Sequence, residues 1–230
     1  MKRGKFIVLD GNDGSGKATQ TKILTKNLSE EGIDSITMDF PAYDRNFFGA
    51  FIGECLAGEH GDFLHMDPKI ASALYALDRI ESSEKICTAL QNGRVVIADR
   101  FASSNQIHQG GKISGEQKRI TFLQWLDKME HEILRIPRPD CIIYLRVPVE
   151  ISLKLLLEKR AAKNQALSEG VKDVVEEDRT YLEQSYKTAN WLASQQPNWR
   201  VIECFSEGGM RSVEDIQSEV RAIVGDVIEE

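Results

Sequence analysis

Seven residues near the start of the chain, Gly11-Asn12-Asp13-Gly14-Ser15-Gly16-Lys17, combine three glycines, two short polar side chains, an acid and a lysine. Glycines let the backbone curl with its N–H groups facing inward, and a helix beginning at Lys17 would aim its positive end at the same point. With the lysine as a point charge, such a loop cradles the β- and γ-phosphates of ATP. A Gly-rich turn without a ligand is the alternative. The usual pattern continues with Ser or Thr on magnesium, whereas this chain has Ala18, with its hydroxyl one place later at Thr19.

Asp99-Arg100 follows the apolar run "VVIA". Ligands of open α/β sheets bind at the carboxyl ends of strands, so Asp99 should lie beside the loop, where it could hold Mg²⁺ through water while Arg100 neutralises phosphate oxygens. A surface ion pair is the competing explanation. Tyr75 and Arg79 stand four apart and share a helix face, with Ile70, Leu74 and Leu77 on the other; a ring beside a guanidinium suits a base, although that spacing also serves packing. The segment "ASSNQIHQGGK", 102 to 112, brings Ser104, Asn105, His108 and Gln109 together as donors and acceptors for a base edge or sugar, or as helix caps. His60, His65 and His131 have no ligand spacing and are expected at the surface. No G-x-S-x-G or H-E-x-x-H motif is present.

These residues need a scaffold. Apolar runs at 5–10, 35–40, 94–99, 140–145 and 200–205 read as strands, and helical patterns fall at 17–31, 67–91, 116–134, 149–163, 174–195 and 212–226. The alternation predicts an α/β fold, a parallel sheet with helices on both faces, in one domain over 1–230. The polar stretch 159–173 is expected to be a short lid rather than a plain solvated loop. A net charge of −7 argues against nucleic acid and acidic membranes as partners. No apolar stretch approaches the ~20 residues of a membrane span. Cys55, Cys87, Cys141 and Cys204 have no paired spacing, which predicts buried, reduced thiols and a cytoplasmic protein.

Taken together, "GNDGSGKATQ", "DFPAY", "YALDR", "DRFASSNQIHQ" and "DCIIYLRVP" resemble, in order and spacing, the thymidylate kinases of the P-loop nucleoside monophosphate kinase group, from about residue 5 to residue 226. The family's loop is typically G-x-D-G-x-G-K-x-T-Q, so its consistent hydroxyl is the one at Thr19. The resemblance implies a five-stranded parallel sheet flanked by helices, a homodimer, ATP and Mg²⁺, and transfer of the γ-phosphoryl to dTMP to give dTDP. It places Gly11 to Thr19 on the ATP phosphates, Asp13 on the acceptor's sugar or metal, and Phe40, Pro41, Ser104, His108 and Gln109 along the acceptor. Tyr75 would stack on thymine, Arg79 would bond the base edge, Asn105 would sit near the base, and Arg100 near the two phosphates being joined. From the lid, Arg160 or Lys163 would add the missing cation, with Asp173 and Glu176 toward sugar and metal; Asp99 would complete the metal site. His108 stands where the family often has Tyr, Arg45 is out of step with an acceptor arginine of some members, and lid hydroxyls are not obvious. Another nucleoside or nucleotide kinase, a P-loop switch and an inactive scaffold are the competing functions.

Overall fold

Strands that are apolar along their whole length need cover on both sides, and their period of two deals successive side chains to opposite faces. The structure, a computed structural model, describes residues 2–155, 179–207 and 209–230. Five strands form one parallel sheet: β1 (Phe6–Gly11), β2 (Ser35–Asp39), β3 (Val95–Asp99), β4 (Cys141–Arg146) and β5 (Trp199–Glu203), in the order β2-β3-β1-β4-β5. The helices are α1 (Lys17–Glu30), α2 (Phe47–Leu56), α3 (Pro68–Gln91), α4 (Ala102–Gly111), α5 (Glu116–Asp127), α6 (Arg179–Gln195) and α7 (Val213–Glu229). A π turn (Lys128–Ile133) prolongs α5, residues 149–155 are helical, and a short hairpin of β6 (Phe205–Ser206) and β7 (Gly209–Met210) follows β5.

Alternation along the strands divides the interior into two cores. Ile7, Leu9, Ile97, Ile143, Leu145 and Ile202 pack under Leu24 and Leu28 of α1 and under Ile216, Val220, Val224 and Val227 of α7. Phe6, Val8, Val96, Ala98, Ile142 and Tyr144 pack on the other face against Ile86 and Leu90 of α3, Ile107 of α4 and Leu192 of α6. Each such aliphatic side chain contributes about 1.5–3 kcal/mol by leaving water. Caps fix where helices begin: Asp67 accepts from the N–H groups of Lys69 and Ile70 with Pro68 next to it, and Ser212 accepts from Asp215 N.

All five expected strands and their parallel sense are observed, but α2 and α4 were not foreseen as helices. α4 is polar because it is a lining element, and its small residues allow close approach to α6: a Cβ on Gly111 would lie 3.2 Å from Ser185 N. On α3, Ile70 is 57% exposed while Arg79 is only 2% exposed, so the apolar face drawn through Ile70 is wrong. The buried stripe runs through Ala71, Ala76, Arg79, Ile86 and Leu90. All four cysteines are free; Cys55, Cys141 and Cys204 are buried and Cys87 half-buried. Burial pushes the Cys141 thiol up to about 11 and that of Cys204 to about 12. His60 pairs with Glu54 and His65 with Asp62 at the surface, but His131 is half-buried with Nδ1 2.8 Å from the carbonyl of Ile136. The expected lid, with Arg160, Lys163, Asp173 and also Glu176, lies outside the described residues.

Candidate active site

The loop between β1 and α1 is held by its own backbone. Gly14 and Gly16 have φ of 81° and 91°, Ser15 N donates to Asn12 O, and α1 starts directly from the left-handed Gly16. At Gly11 the constraint is room, since a Cβ would come within 2.6 Å of Ser15 Oγ and 2.7 Å of the Leu145 carbonyl. Lys17 curls inside, its Nζ 2.9 Å from the carbonyl oxygens of both Gly11 and Asn12. Burial, with help from Arg100, brings its ammonium down to about 8 against the opposing pull of Asp13, Asp99 and Asp10. The Asn12 amide and the Ser15 hydroxyl are buried without partners among the described residues, so polar groups line the loop beyond what its own fold uses.

Asp10, next to last in β1, is a buried carboxylate that the apolar pattern gave no reason to single out. It accepts from Gly11 N, Ser103 Oγ and Ser104 Oγ, and lies 3.8 Å from Arg100. The Ser104 hydroxyl, expected on a substrate, therefore ties α4 to β1. Arg100 adopts φ 66°, unusual for a side chain with a Cβ, and forms an ion pair with Asp13 across the loop. Burial would raise the Asp13 carboxyl, but Arg100 and Lys17 outweigh it and hold the group well below the usual carboxylate range. Burial likewise works against the charge of Arg100, yet Asp13, Asp10 and Asp99 raise its pKa further.

For the metal, Asp99 pairs in register with Leu9 of β1 and with Asp39 of β2, as its place after a central strand implied. It borders a groove with Ala18 and Thr21, and burial raises its carboxyl. Thr21 stands three residues beyond Ala18 on the same helix face, and its buried hydroxyl has no partner among the described residues. A hydrated Mg²⁺ fits this donor set. Among the described residues there is no group of three acidic, His or Cys side chains that could enclose a metal. Asp13, expected near the metal or sugar, has Oδ1 engaged by Arg100 and 3.9 Å from Lys17.

Next to the loop opens a cleft of about 740 Å³, mouth included. Phe40, Pro41, Tyr75, Arg79, Ser104, Asn105, His108 and Gln109 all border it, together with Asp13 and Arg100. Tyr43, Leu56, Phe101 and Tyr181 border it too and were not anticipated. Asp78 of α3 shapes the entrance by accepting from Ala42 N and Asn46 Nδ2, and Glu81 accepts from the first N–H groups of α2. Arg45 instead bonds Asp39 and does not border the cleft.

One buried group organises the far end. Arg79 Nε and Nη2 donate to Glu130 Oε2 and Oε1 at 2.9 and 2.7 Å, with both residues almost fully buried. Asn105 Nδ2 donates to the same Oε1 at 3.0 Å and to the carbonyl of Ser72 at 3.2 Å. Both of those partners only accept, which fixes the amide orientation: nitrogen inward, Oδ1 outward. Arg79 Nη1 has no hydrogen bond among the described residues. These bonds leave Arg79 Nη1 as a donor and Asn105 Oδ1 as an acceptor on two residues that border the cleft. Sequence reasoning missed Glu130; the available signal was that a buried arginine requires a buried acid.

The thymidylate kinase family model matches residues 9–217. A probable thymidylate kinase of Pyrococcus horikoshii is 33% identical over 96% of this chain and 96% of its own. The thymidylate kinase of Nitrosomonas europaea is 30% identical over 70% of this chain and 71% of its own. Among solved structures, thymidylate kinase from Candida albicans shares the fold with a TM-score of 0.70 at 19% identity, over 97% of this chain and 92% of that one. The chain belongs to the thymidylate kinase family and is an ATP-dependent nucleoside monophosphate kinase.

Proposed function

We propose that the protein transfers the γ-phosphoryl group of ATP to dTMP, yielding ADP and dTDP for deoxynucleotide synthesis. The observation that carries the acceptor's identity is that Glu130 and Ser72 engage Arg79 Nε and Nη2 and Asn105 Nδ2, which leaves Nη1 as a donor and Oδ1 as an acceptor for a ligand. Thymine presents an accepting O4 and a donating N3–H, whereas cytosine presents a donating 4-amino group beside an accepting N3. Tyr75 and Phe40 supply aromatic surface for the ring.

The acceptor phosphate is already anionic, so no side chain need remove a proton. Its oxygen attacks the γ-phosphorus in line as the bond to the β-phosphate oxygen breaks. The protein's part is positioning and charge neutralisation. Lys17 meets the β- and γ-phosphates, and Arg100, aimed by Asp13 and Asp10, reaches the junction of donor and acceptor. Mg²⁺, held through water by Asp99 and by phosphate oxygens, would neutralise the charge of the transferring group. Arg160 as a further cation, Glu176 near the metal and a homodimer are proposed from the resemblance, and a lid at 159–173 within a single domain and a cytoplasmic setting from the sequence pattern. Among the described residues no helix is long and apolar enough to cross a membrane.

ADP release measured with dTMP, dUMP, dCMP, dGMP and dAMP tests this reading. We expect dTMP to lead, with dUMP behind it and dCMP far lower. Preferred turnover of dCMP or dAMP would overturn it.

A further inference from the structure

Phe122, Leu126 and Glu130 recur at a spacing of four and are all buried, so an acid occupies the third position of an apolar stripe. A carboxylate left there alone would be strongly unfavourable, and its environment is built to satisfy it. Three donors converge on its two oxygens: Arg79 Nε, Arg79 Nη2 and Asn105 Nδ2. They come from different helices, α3 and α4, and both residues border the cleft while Glu130 does not. Glu130 is brought in by the π turn, where Leu134 N reaches back to the Met129 carbonyl and Ile136 N to that of Glu130 itself.

We propose that Glu130 is a positioning residue that sets the hydrogen-bond polarity of the base site, by drawing two Arg79 donors and the Asn105 amide nitrogen toward itself. What remains for a ligand is the complementary pair, Nη1 donating and Oδ1 accepting, and a 4-oxo pyrimidine is taken while a 4-amino pyrimidine is refused. A neutral Gln at 130 has the same shape but turns one acceptor into a donor. If that donor faces Arg79 Nη2 and Asn105, it opposes the donors of both, and the asparagine amide is left to the Ser72 carbonyl alone for its orientation. If it faces Arg79 Nε, the guanidinium is displaced. Either change weakens discrimination against a 4-amino base.

This inference rests on reading the cleft as the acceptor's base site, and the experiment separates the two. kcat/KM for dTMP and dCMP is measured for the parent, Glu130→Gln and Glu130→Asp, alongside thermal unfolding and ATP affinity. A parent that prefers dCMP refutes the base-site reading itself. With the parent preferring dTMP, Glu130→Gln is expected to lower the dTMP:dCMP ratio at least about tenfold while ATP affinity stays within about twofold. Glu130→Asp keeps the charge and is expected to lose activity on both substrates with the ratio retained. Equal losses on dTMP and dCMP in a folded Glu130→Gln overturn the proposal. Should Glu130→Gln fail to fold, Glu130→Asp decides: a retained ratio supports control by the carboxylate, and a collapsed ratio shows that packing sets the polarity.

Discussion

The imidazole of His108 lies nearly parallel to the ring of Tyr181, with centroids 5.8 Å apart and planes 12° from parallel. Its Nε2 is 3.3 Å from Arg100 Nη1 and its Nδ1 is 3.2 Å from Ser185 Oγ. A guanidinium only donates, so Nε2 accepts, Nδ1 carries the proton, and the ring is neutral. Burial, then the charge of Arg100, lowers its pKa from 6.5 to about 4, with Lys17 acting in the same sense and Asp13 and Asp10 opposing. The unfolded chain therefore takes up this proton first as pH falls. His108 has no pH-linked effect well above 6.5 and costs stability increasingly between 6.5 and about 4. Urea midpoints of the parent and His108→Phe should diverge across that window, with the parent losing about 1–2 kcal/mol more than the variant. Parallel pH profiles would contradict this account.

Lys17 has a related cost with a different window. Its folded pKa of about 8 lies below the ordinary lysine value of 10.5, so the penalty for holding it charged is fully present below 8 and fades as pH rises toward 10.5. Lys17→Met should abolish most phosphoryl transfer, because the cation for the β- and γ-phosphates is gone. Relative to this variant, the ligand-free parent should gain about 1–3 kcal/mol of stability as pH rises from 7 to 10. Calorimetric unfolding at both pH values, beside an activity assay, checks both halves.

Arg79→Ala should raise the KM for dTMP at least about tenfold with little change in the KM for ATP, since Arg79 borders the cleft and not the phosphate loop. The variant should also be less stable by about 3–5 kcal/mol, because Glu130 is left as an unpaired buried charge. Steady-state kinetics against each substrate, with a denaturant curve, tests the division. Equal loss of both affinities would count against it.

The hydroxyl question at 18 and 19 has a geometric answer. Ala18 faces the groove that Asp99 borders, while Thr19 is exposed about 100° around the first turn of α1. We expect Thr19→Ala to raise the KM for ATP and Ala18→Ser to leave turnover near normal while tightening the magnesium requirement. Titration of Mg²⁺ at saturating ATP distinguishes them. A strong shift of the Mg²⁺ requirement in Thr19→Ala with ATP affinity spared would make Thr19 the metal ligand.

Much of this was legible in the sequence for local reasons. Strand runs such as "FIVLDG" and "VVIAD" are buried along almost their whole length, and the phosphate loop is a contiguous motif whose glycines carry the backbone angles it needs. What escaped detection was non-local. Glu130 reads as one more charge on a charged helix until Arg79, 51 residues away, is seen to face inward. Asp10 is an acid at a strand end until Ser103 and Ser104 are folded against it. α4 hides its helical nature because Ile107 is its one large apolar residue and it ends in two glycines, of which Gly111 lies close against α6.

The buried Arg79–Glu130 pair gives the chain an unusual vulnerability to selection for robustness alone. Well-packed apolar residues in place of such a pair are often neutral or stabilising by about 1–4 kcal/mol, whereas removing one partner is strongly destabilising. A library varied at positions 79 and 130 and sorted only for survival of heating would discard nearly every single change and enrich paired apolar replacements. The survivors would be sturdier folds that no longer distinguish one base from another.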